Sequence, residues 1–192
     1  MQEGKFTENI KKYASCKYIS FHTPAHRGRN KYINKILKSE YDLTELSETD
    51  NLFNPVGCIK ELEAALKNTF GSEEFFLLPN GATSGMEASV CLFGHQDKIL
   101  VDRNCHISVL NGFIMSGAIP VFIDTELNDF DIPLPPSMEN IKSAYEKNPG
   151  VKALIITSSN YYGLKADLKK ISDFCKEKNI LAAAILKLDN TP

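Results

Sequence analysis

The chain has 192 residues, of which 43% are hydrophobic and 24% charged, as in an ordinary globular domain. Its 22 Lys and Arg against 24 Asp and Glu leave a net charge of −2, which argues against a nucleic-acid partner and an anionic membrane surface. The sequence shows no apolar run long enough to span a membrane and no secretory signal. Its five scattered cysteines, without a Cys-x-x-Cys pair, argue against a disulfide framework and a zinc site and predict a cytoplasmic location.

The first part of the chain is predicted to form an N-terminal arm. Phe6, Ile10 and Tyr13 have the spacing of one helix face, residues 18–21 have the composition of a strand, and residues 32–37 that of a short helix. These elements follow no regular alternation, whereas the rest of the chain does. We therefore predict an arm over residues 1–58 and a main domain over residues 59–192.

From residue 59 onward, helical and strand patterns alternate. Ile59, Leu62, Leu66 and Phe70 share one face of a predicted helix that ends at Gly71. The other predicted helices cover residues 83–93, 105–116, a segment capped by Ser137, and residues 166–178; the predicted strands cover residues 74–79, 98–101, 120–123, 151–157 and 180–186. Short apolar strands separated by helices predict an α/β fold, with a mostly parallel sheet and flanking helices.

The apolar spacing also predicts which helix side chains face the sheet. They are Met86, Val90 and Phe93; Val109, Phe113 and Ile114; Ile141, Ala144 and Tyr145; and Leu168, Ile171, Phe174 and Cys175. These positions define the expected core.

Residues 80–85, Asn-Gly-Ala-Thr-Ser-Gly, lie between a predicted strand and a predicted helix. In an open parallel sheet ligands bind at the carboxyl ends of the strands, and a helix N-terminus there offers free N–H groups to a phosphate. Gly81 permits a tight turn, and Thr83 and Ser84 add hydroxyl groups. No Gly-Lys-Ser/Thr follows, so the loop is not of the nucleoside-triphosphate type. A helix capped by Thr83 or Ser84, with no ligand at all, is an equally good interpretation of these six residues.

His106 follows the predicted strand that ends at Val101, so it falls at the same edge of the sheet. An imidazole there is suited to stacking on an aromatic ligand or to moving protons. The alternative is a histidine at a helix start that bonds only the backbone. His22 and His26 are four residues apart, but Pro24 lies between them, so they do not form a helical metal site.

Six segments, in chain order, resemble motifs of the bacterial ornithine/lysine/arginine decarboxylases. They are residues 21–28 (Phe-His-x-Pro-Gly-His-Lys-Gly in the family), 42–46 (Asp-Leu-Thr-Glu), 55–61 (Pro-x-Gly-x-Ile-x-Glu), 80–85 (Asn-Gly-Thr-Ser/Thr-Ser-Gly), 103–108 (Arg-Asn-x-His-Lys-Ser) and 157–163 (Pro-Asn/Thr-Tyr-Tyr-Gly). Ala82, Ile107 and Ser159 depart from these motifs. Together the six segments place the resemblance over residues 18 to about 180.

This resemblance implies the aspartate-aminotransferase fold, pyridoxal 5′-phosphate as the cofactor, and decarboxylation of basic amino acids for polyamine synthesis. By the same resemblance, Gly81, Ala82, Thr83 and Ser84 hold the cofactor phosphate. His106 stacks on the pyridine ring, and Asn160 lies near the phenolic oxygen. A phosphate at a helix N-terminus and one aromatic ring over another are both physically favourable.

The family site has two further parts, an Asp that faces the pyridine nitrogen and a Lys that forms a Schiff base with the cofactor. At the motif position of the Asp, the segment from residue 180 onward no longer resembles the family, and the lysine motif would lie beyond residue 192. We therefore expect an incomplete large domain with no catalytic residue of its own, truncated and inactive alone. Lys187 and Asp189 are interpreted as exposed terminal charges.

Two other hypotheses remain open. In one, the chain is a non-catalytic partner or regulator of a full-length decarboxylase; in the other, it is an enzyme that uses Lys187 as its Schiff-base residue. The resemblance implies a basic amino acid as the substrate, without indicating which one. It also implies a homo-oligomer or pairing with the missing C-terminal half.

Overall fold

The computed structural model describes residues 4–16, 18–24, 26 and 38–186, with Leu186 described by its backbone alone. The predicted helix at residues 32–37 and the charges Lys187 and Asp189 lie outside these residues. The chain divides into two compact units, Met1–Leu77 and Leu78–Pro192. The boundary predicted between residues 58 and 59 falls inside the first unit, because the helix that begins at Cys58 packs against the first helix of the chain.

The first unit contains helix α1 (Lys5–Ser15), a short 3₁₀ helix (Ser39–Tyr41) and helix α2 (Cys58–Phe70). The helix predicted over Phe6, Ile10 and Tyr13 and the one predicted from Ile59 are confirmed, and Gly71 ends α2 with a left-handed φ of 64°. The strands predicted at residues 18–21 and 74–79 are wrong, because neither segment pairs with another strand among the residues that the structure describes. Phe21 and Phe76 are accordingly 86% and 74% exposed.

The Asp50 carboxylate fixes the N-terminus of α2. Its Oδ2 accepts hydrogen bonds from the backbone N–H groups of Gly57 at 2.8 Å and Ile59 at 3.0 Å, and its Oδ1 accepts from Val56 at 3.0 Å. The N-cap residue, Gly57, has no side chain with which to do this. The N–H of Val56, followed by those of Asn51, Gly57 and Ile59, holds the pKa of Asp50 well below its usual range, against the opposing effect of burial.

An Asp50→Asn variant is expected to have a lower urea midpoint than the unmodified chain at pH 7, because one amide oxygen replaces two accepting carboxylate oxygens. The pKa of Asp50 is lower in the folded state, so its stabilisation is present above the unfolded pKa of about 3.9 and is lost as the pH falls towards the folded pKa. The difference in urea midpoint between the variant and the unmodified chain should therefore become smaller as the pH is lowered. Asp173→Asn, at an exposed helical position of the second unit, is the control. Equal midpoints for Asp50→Asn and the unmodified chain at pH 7 would contradict the assignment.

The second unit is built around four parallel strands, β1 (Lys98–Asp102), β2 (Ile119–Ile123), β3 (Val151–Ser158) and β4 (Leu181–Leu186), in the order β2-β1-β3-β4. Its helices are α3 (Gly81–Cys91), α4 (Ile107–Ser116), α5 (Met138–Lys147) and α6 (Leu168–Glu177). The predicted α/β class, a mostly parallel sheet with flanking helices, is confirmed. None of the helices in the described residues is long and apolar enough to cross a membrane.

Local signals account for several helix boundaries in this unit. The Ser137 hydroxyl accepts a hydrogen bond from the Asn140 N–H at 3.2 Å, as a side-chain cap does. Asp167 caps α6 in the same way through the Lys170 N–H at 3.1 Å. Gly117 ends α4 with a left-handed φ of 70°.

Each face of the sheet carries its own apolar core. On one face, α3 and α4 bury Met86, Val90, Val109 and Phe113 against alternate strand residues such as Ile155. On the other, α5 and α6 cover the remaining strand positions, with Ile141, Ala144, Ile171, Phe174 and Cys175 buried as predicted. The prediction for Ile114 is wrong: it is 81% exposed, because Val109, Gly112 and Phe113 already form the inward face of α4.

Candidate functional site

The carboxyl edge of the sheet is defined here by the C-terminal ends of β1 and β3 and the loops that follow them, residues 103–106 and 159–164. Helix α4 begins at this edge because it directly follows β1. Helix α3 packs beside α4, and its C-terminus connects to the start of β1 through residues 92–97. It therefore runs antiparallel to the strand, and its N-terminus also lies at the carboxyl edge. Ligands bind at this edge in open α/β sheets.

The first turn of α3 presents backbone donors without a side-chain cap. The N-cap residue is Asn80, whose side chain makes no capping hydrogen bond. Gly81, with a φ of 71°, donates its N–H to the Leu78 carbonyl at 3.0 Å. Ala82 and Thr83 follow as the second and third helical residues, whose N–H groups have no partner within an α-helix.

The alternative in which Thr83 or Ser84 caps this helix is wrong. Both residues lie inside α3, and the Ser84 hydroxyl donates a hydrogen bond to the Gly81 carbonyl at 3.0 Å. A helix N-terminus with free N–H groups attracts an anion, because the aligned peptide dipoles place partial positive charge there. The predicted residues Gly81, Ala82, Thr83 and Ser84 therefore form one continuous turn suited to a phosphate.

His106 is the N-cap of α4. Its Nδ1 accepts a hydrogen bond from the Ser108 N–H at 3.2 Å and lies 2.9 Å from the Ser108 hydroxyl oxygen. The imidazole is nevertheless exposed. The capping bond fixes the orientation of the ring and leaves its faces available, so the two interpretations of His106 are compatible.

Asn160 is 3% exposed and organises the loop after β3. Its side-chain oxygen accepts hydrogen bonds from the N–H groups of Tyr162 and Leu164, both at 3.0 Å, and its amide donates to the Pro133 carbonyl at 3.0 Å. In this arrangement Asn160 holds the loop at the carboxyl edge, and its oxygen is committed to the backbone.

Asp102, the last residue of β1, is 1% exposed, and its Oδ1 accepts from the Asn104 N–H at 2.9 Å. Burial raises the pKa of Asp102, and the N–H groups of Asn104 and Thr157 oppose that shift. Burial, followed by the Asp102 charge, raises the pKa of the Cys105 thiol, which argues against Cys105 as a nucleophile. Asp102 was not identified from the sequence, because an apolar strand pattern gives no sign that the polar residue at its end is enclosed.

All six predicted binding residues lie at the carboxyl edge: four in the first turn of α3, one at the start of α4, and Asn160 after β3.

The first-unit histidines lie apart from this set in sequence and have local partners. The Tyr13 hydroxyl is 3.0 Å from His22 Nε2, and His26 Nε2 is 3.0 Å from Asp42 Oδ2. Across the part of the chain that the structure describes, no three His, Cys, Asp or Glu groups are arranged to hold a metal.

Comparison with known proteins identifies the same family as the sequence motifs. The family described as "Orn/Lys/Arg decarboxylase, major domain" matches residues 5–184. The uncharacterized protein YaaO of Bacillus subtilis is 39% identical over 162 residues, which is 79% of this chain and 33% of that protein. An arginine decarboxylase of Bacillus subtilis is 33% identical over 173 residues, 84% of this chain and 35% of that protein. The chain therefore spans about one third of the length of these curated relatives.

Two solved structures are similar over most of the chain. Lysine decarboxylase A from Pseudomonas aeruginosa has a TM-score of 0.66 at 26% identity. The matched region covers 82% of this chain and 24% of that chain. The constitutive lysine decarboxylase of Escherichia coli has a TM-score of 0.69 at 21% identity, covering 83% of this chain and 25% of that chain, which is a likeness of fold. The chain belongs to the Orn/Lys/Arg decarboxylase family.

Proposed function

We propose that this chain forms the phosphate-binding part of a pyridoxal 5′-phosphate-dependent decarboxylase of basic amino acids. The observation that carries the proposal is the first turn of α3, where Ala82 and Thr83 present free N–H groups and no side chain caps the helix. These donors fit a phosphate ester, and the exposed ring of His106, fixed by its bond to Ser108, fits stacking on a flat aromatic ligand.

The residues of the chain have distinct roles in this proposal. The N–H groups of Ala82 and Thr83 bind and orient the phosphate, on a turn that Gly81 forms by donating its own N–H to the Leu78 carbonyl. The Ser84 hydroxyl exchanges its bond to the Gly81 carbonyl for one to the phosphate, and His106 positions the ring. Asn160 holds the loop after β3 close to the ligand. When bound, pyridoxal 5′-phosphate supplies an electron-withdrawing ring that stabilises negative charge as the α-carboxyl group leaves.

The 192 residues contain neither the family's Asp-Glu-Ala-His-Gly motif nor its Ser/Thr-x-His-Lys motif. We infer that they bind the cofactor without decarboxylating a substrate, and that further chain must supply the groups for the ring nitrogen and the Schiff base.

Within the described residues β4 pairs only with β3, so its other side presents unpaired backbone groups. That edge supports pairing with such a chain or with another subunit. The five thiols are free, which fits the cytoplasm.

The first test is ligand binding by the 192-residue chain. Pyridoxine 5′-phosphate is a suitable probe because it lacks the aldehyde that labels surface lysines. Calorimetric titration should show one saturable site, weakened about tenfold by Ser84→Ala through loss of a charge-assisted hydrogen bond. Ser89→Ala on the same helix is the matched control, since the Ser89 hydroxyl bonds the Gly85 carbonyl one turn further along. Failure of the unmodified chain to bind the probe would contradict the proposal.

The second test is release of labelled carbon dioxide from arginine, lysine and ornithine. We expect none from the chain alone. Activity should appear when it is co-produced with the remaining two thirds of a relative such as the Bacillus subtilis arginine decarboxylase. Release by the chain alone would contradict the inferred inactivity.

The unpaired β4 edge also favours a second candidate, a non-catalytic partner of a full-length decarboxylase. In that case the chain should co-purify with the intact enzyme and alter its rate, while failing to bind pyridoxine 5′-phosphate. Binding of the probe together with rescue of activity by the missing portion separates the first candidate from the second.

A further inference from the structure

A buried hydroxyl at the carboxyl edge has no protein partner in the described residues. Thr157, near the end of β3, is 7% exposed, and its Oγ1 makes no hydrogen bond there. Side chains alternate between the two faces of a strand, and Ala153 and Ile155 pack in the core beneath α3 and α4. Thr157 therefore points to the same face of the sheet, the face on which α3 begins its first turn.

An unsatisfied buried hydroxyl destabilises the folded protein, so it calls for an explanation such as a ligand. A second orphan donor lies at the same edge. Asn104 Nδ2 is enclosed without a partner in the described residues, and Asn104 lies between β1 and His106. Asn104 follows β1, and Thr157 lies near the end of the adjacent strand β3. The two unpaired polar groups thus lie at the same edge of the sheet as His106, which we assign to ring stacking.

We propose that the Thr157 hydroxyl binds the polar edge of the cofactor's pyridine ring, while the first turn of α3 binds its phosphate. The inference rests on the proposed function. A hydroxyl both donates and accepts, which suits a phenolic oxygen in either protonation state. The N–H groups of α3 serve the phosphate, whereas Thr157 is on the strand next to the one that His106 follows. The ring, held at His106, is therefore the part of the ligand that Thr157 meets.

Three probes separate the two ends of the ligand: pyridoxine 5′-phosphate, pyridoxine, and inorganic phosphate as a competitor. Thr157→Val is nearly isosteric and removes only the hydroxyl. It should weaken pyridoxine 5′-phosphate and pyridoxine alike by about fivefold, the effect of one hydrogen bond, and leave competition by phosphate unchanged. Ser84→Ala should do the reverse, weakening the ester and phosphate but not pyridoxine. Thr157→Ser keeps the hydroxyl and should retain affinity for pyridoxine.

A second readout, thermal unfolding without ligand, distinguishes binding from a structural role. Because Thr157 Oγ1 lacks a partner, Thr157→Val should raise the unfolding midpoint by about 3 °C. A hydroxyl that held the fold together would instead lower it on removal. Thr125→Val is the matched control, since Thr125 Oγ1 is also buried without a partner in the described residues but follows the outer strand β2. It should raise the midpoint without changing affinity for pyridoxine.

Each result decides the matter. Unchanged pyridoxine affinity in Thr157→Val, a lowered midpoint in that variant, or an equal affinity loss in Thr125→Val overturns the role of Thr157 and leaves phosphate binding at α3 intact. If the unmodified chain binds none of the three probes, the proposed function fails and this inference fails with it.

Discussion

Replacing Gly112 with valine should lower the free energy of unfolding by about 3 kcal/mol, at the upper end of typical overpacking costs. Helices α3 and α4 pack tightly against each other at this residue. A Cβ built on Gly112 would lie 2.7 Å from Cβ of Val90, with the Val90 methyl groups at 3.0 and 3.2 Å. Val90 is 0% exposed and β-branched, so its side chain cannot rotate away. The helices must separate.

Separation of these helices also moves the two ends of the proposed site. The phosphate turn starts α3 and His106 caps α4, so Gly112→Val should weaken binding of pyridoxine 5′-phosphate as well as stability. Gly94→Val is the control, because the nearest atom to a Cβ at Gly94 is Asp97 Oδ2 at 4.0 Å. Urea denaturation measures the stability difference, and calorimetry measures the binding difference. Equal unfolding free energies for the two variants would show that the close approach has no energetic consequence.

The sequence predicted the second unit well because its signals are local. Strand composition, the apolar spacing of the helices and the Ser137 cap each act within a few residues, and all of them correspond to observed elements. The strands predicted at residues 18–21 and 74–79 failed because pairing is not local. An apolar run is compatible with a strand, but it forms one only when its backbone pairs with an adjacent strand.

The position of the candidate residues at the carboxyl edge was predictable from the sequence. Chain order and the parallel sheet bring α3, His106 and Asn160 to one edge without any knowledge of side-chain contacts. The sequence could not distinguish a capped from an uncapped helix at residues 80–85, because Thr83 and Ser84 suit both. It also could not identify Asp102 or Thr157, whose significance lies in being buried with few or no partners.

The charge at the first turn of α3 gives the largest expected effect on ligand binding. An Ala82→Asp variant retains the backbone N–H but adds a carboxylate beside the proposed phosphate position. Two like charges about 4 Å apart repel by about 4 kcal/mol at an effective dielectric constant of about 20, so affinity for pyridoxine 5′-phosphate should fall by about 100-fold or more. Ala82 is exposed, so the added side chain displaces no core residue.

Stability should respond differently from binding. An Asp in the first helical turn interacts favourably with the helix dipole, which offsets its lower helix propensity, so the unfolding free energy should stay within about 0.5 kcal/mol of the unmodified chain. Ala88→Asp makes the same charge change at an exposed position about 9 Å further along α3. Because that separation is close to the Debye length of about 8 Å at physiological salt, binding should change little in the control. Equal losses of affinity in both variants would mean that the phosphate does not bind at the N-terminus of α3. A loss confined to Ala82→Asp would identify that turn as the anion site of the chain.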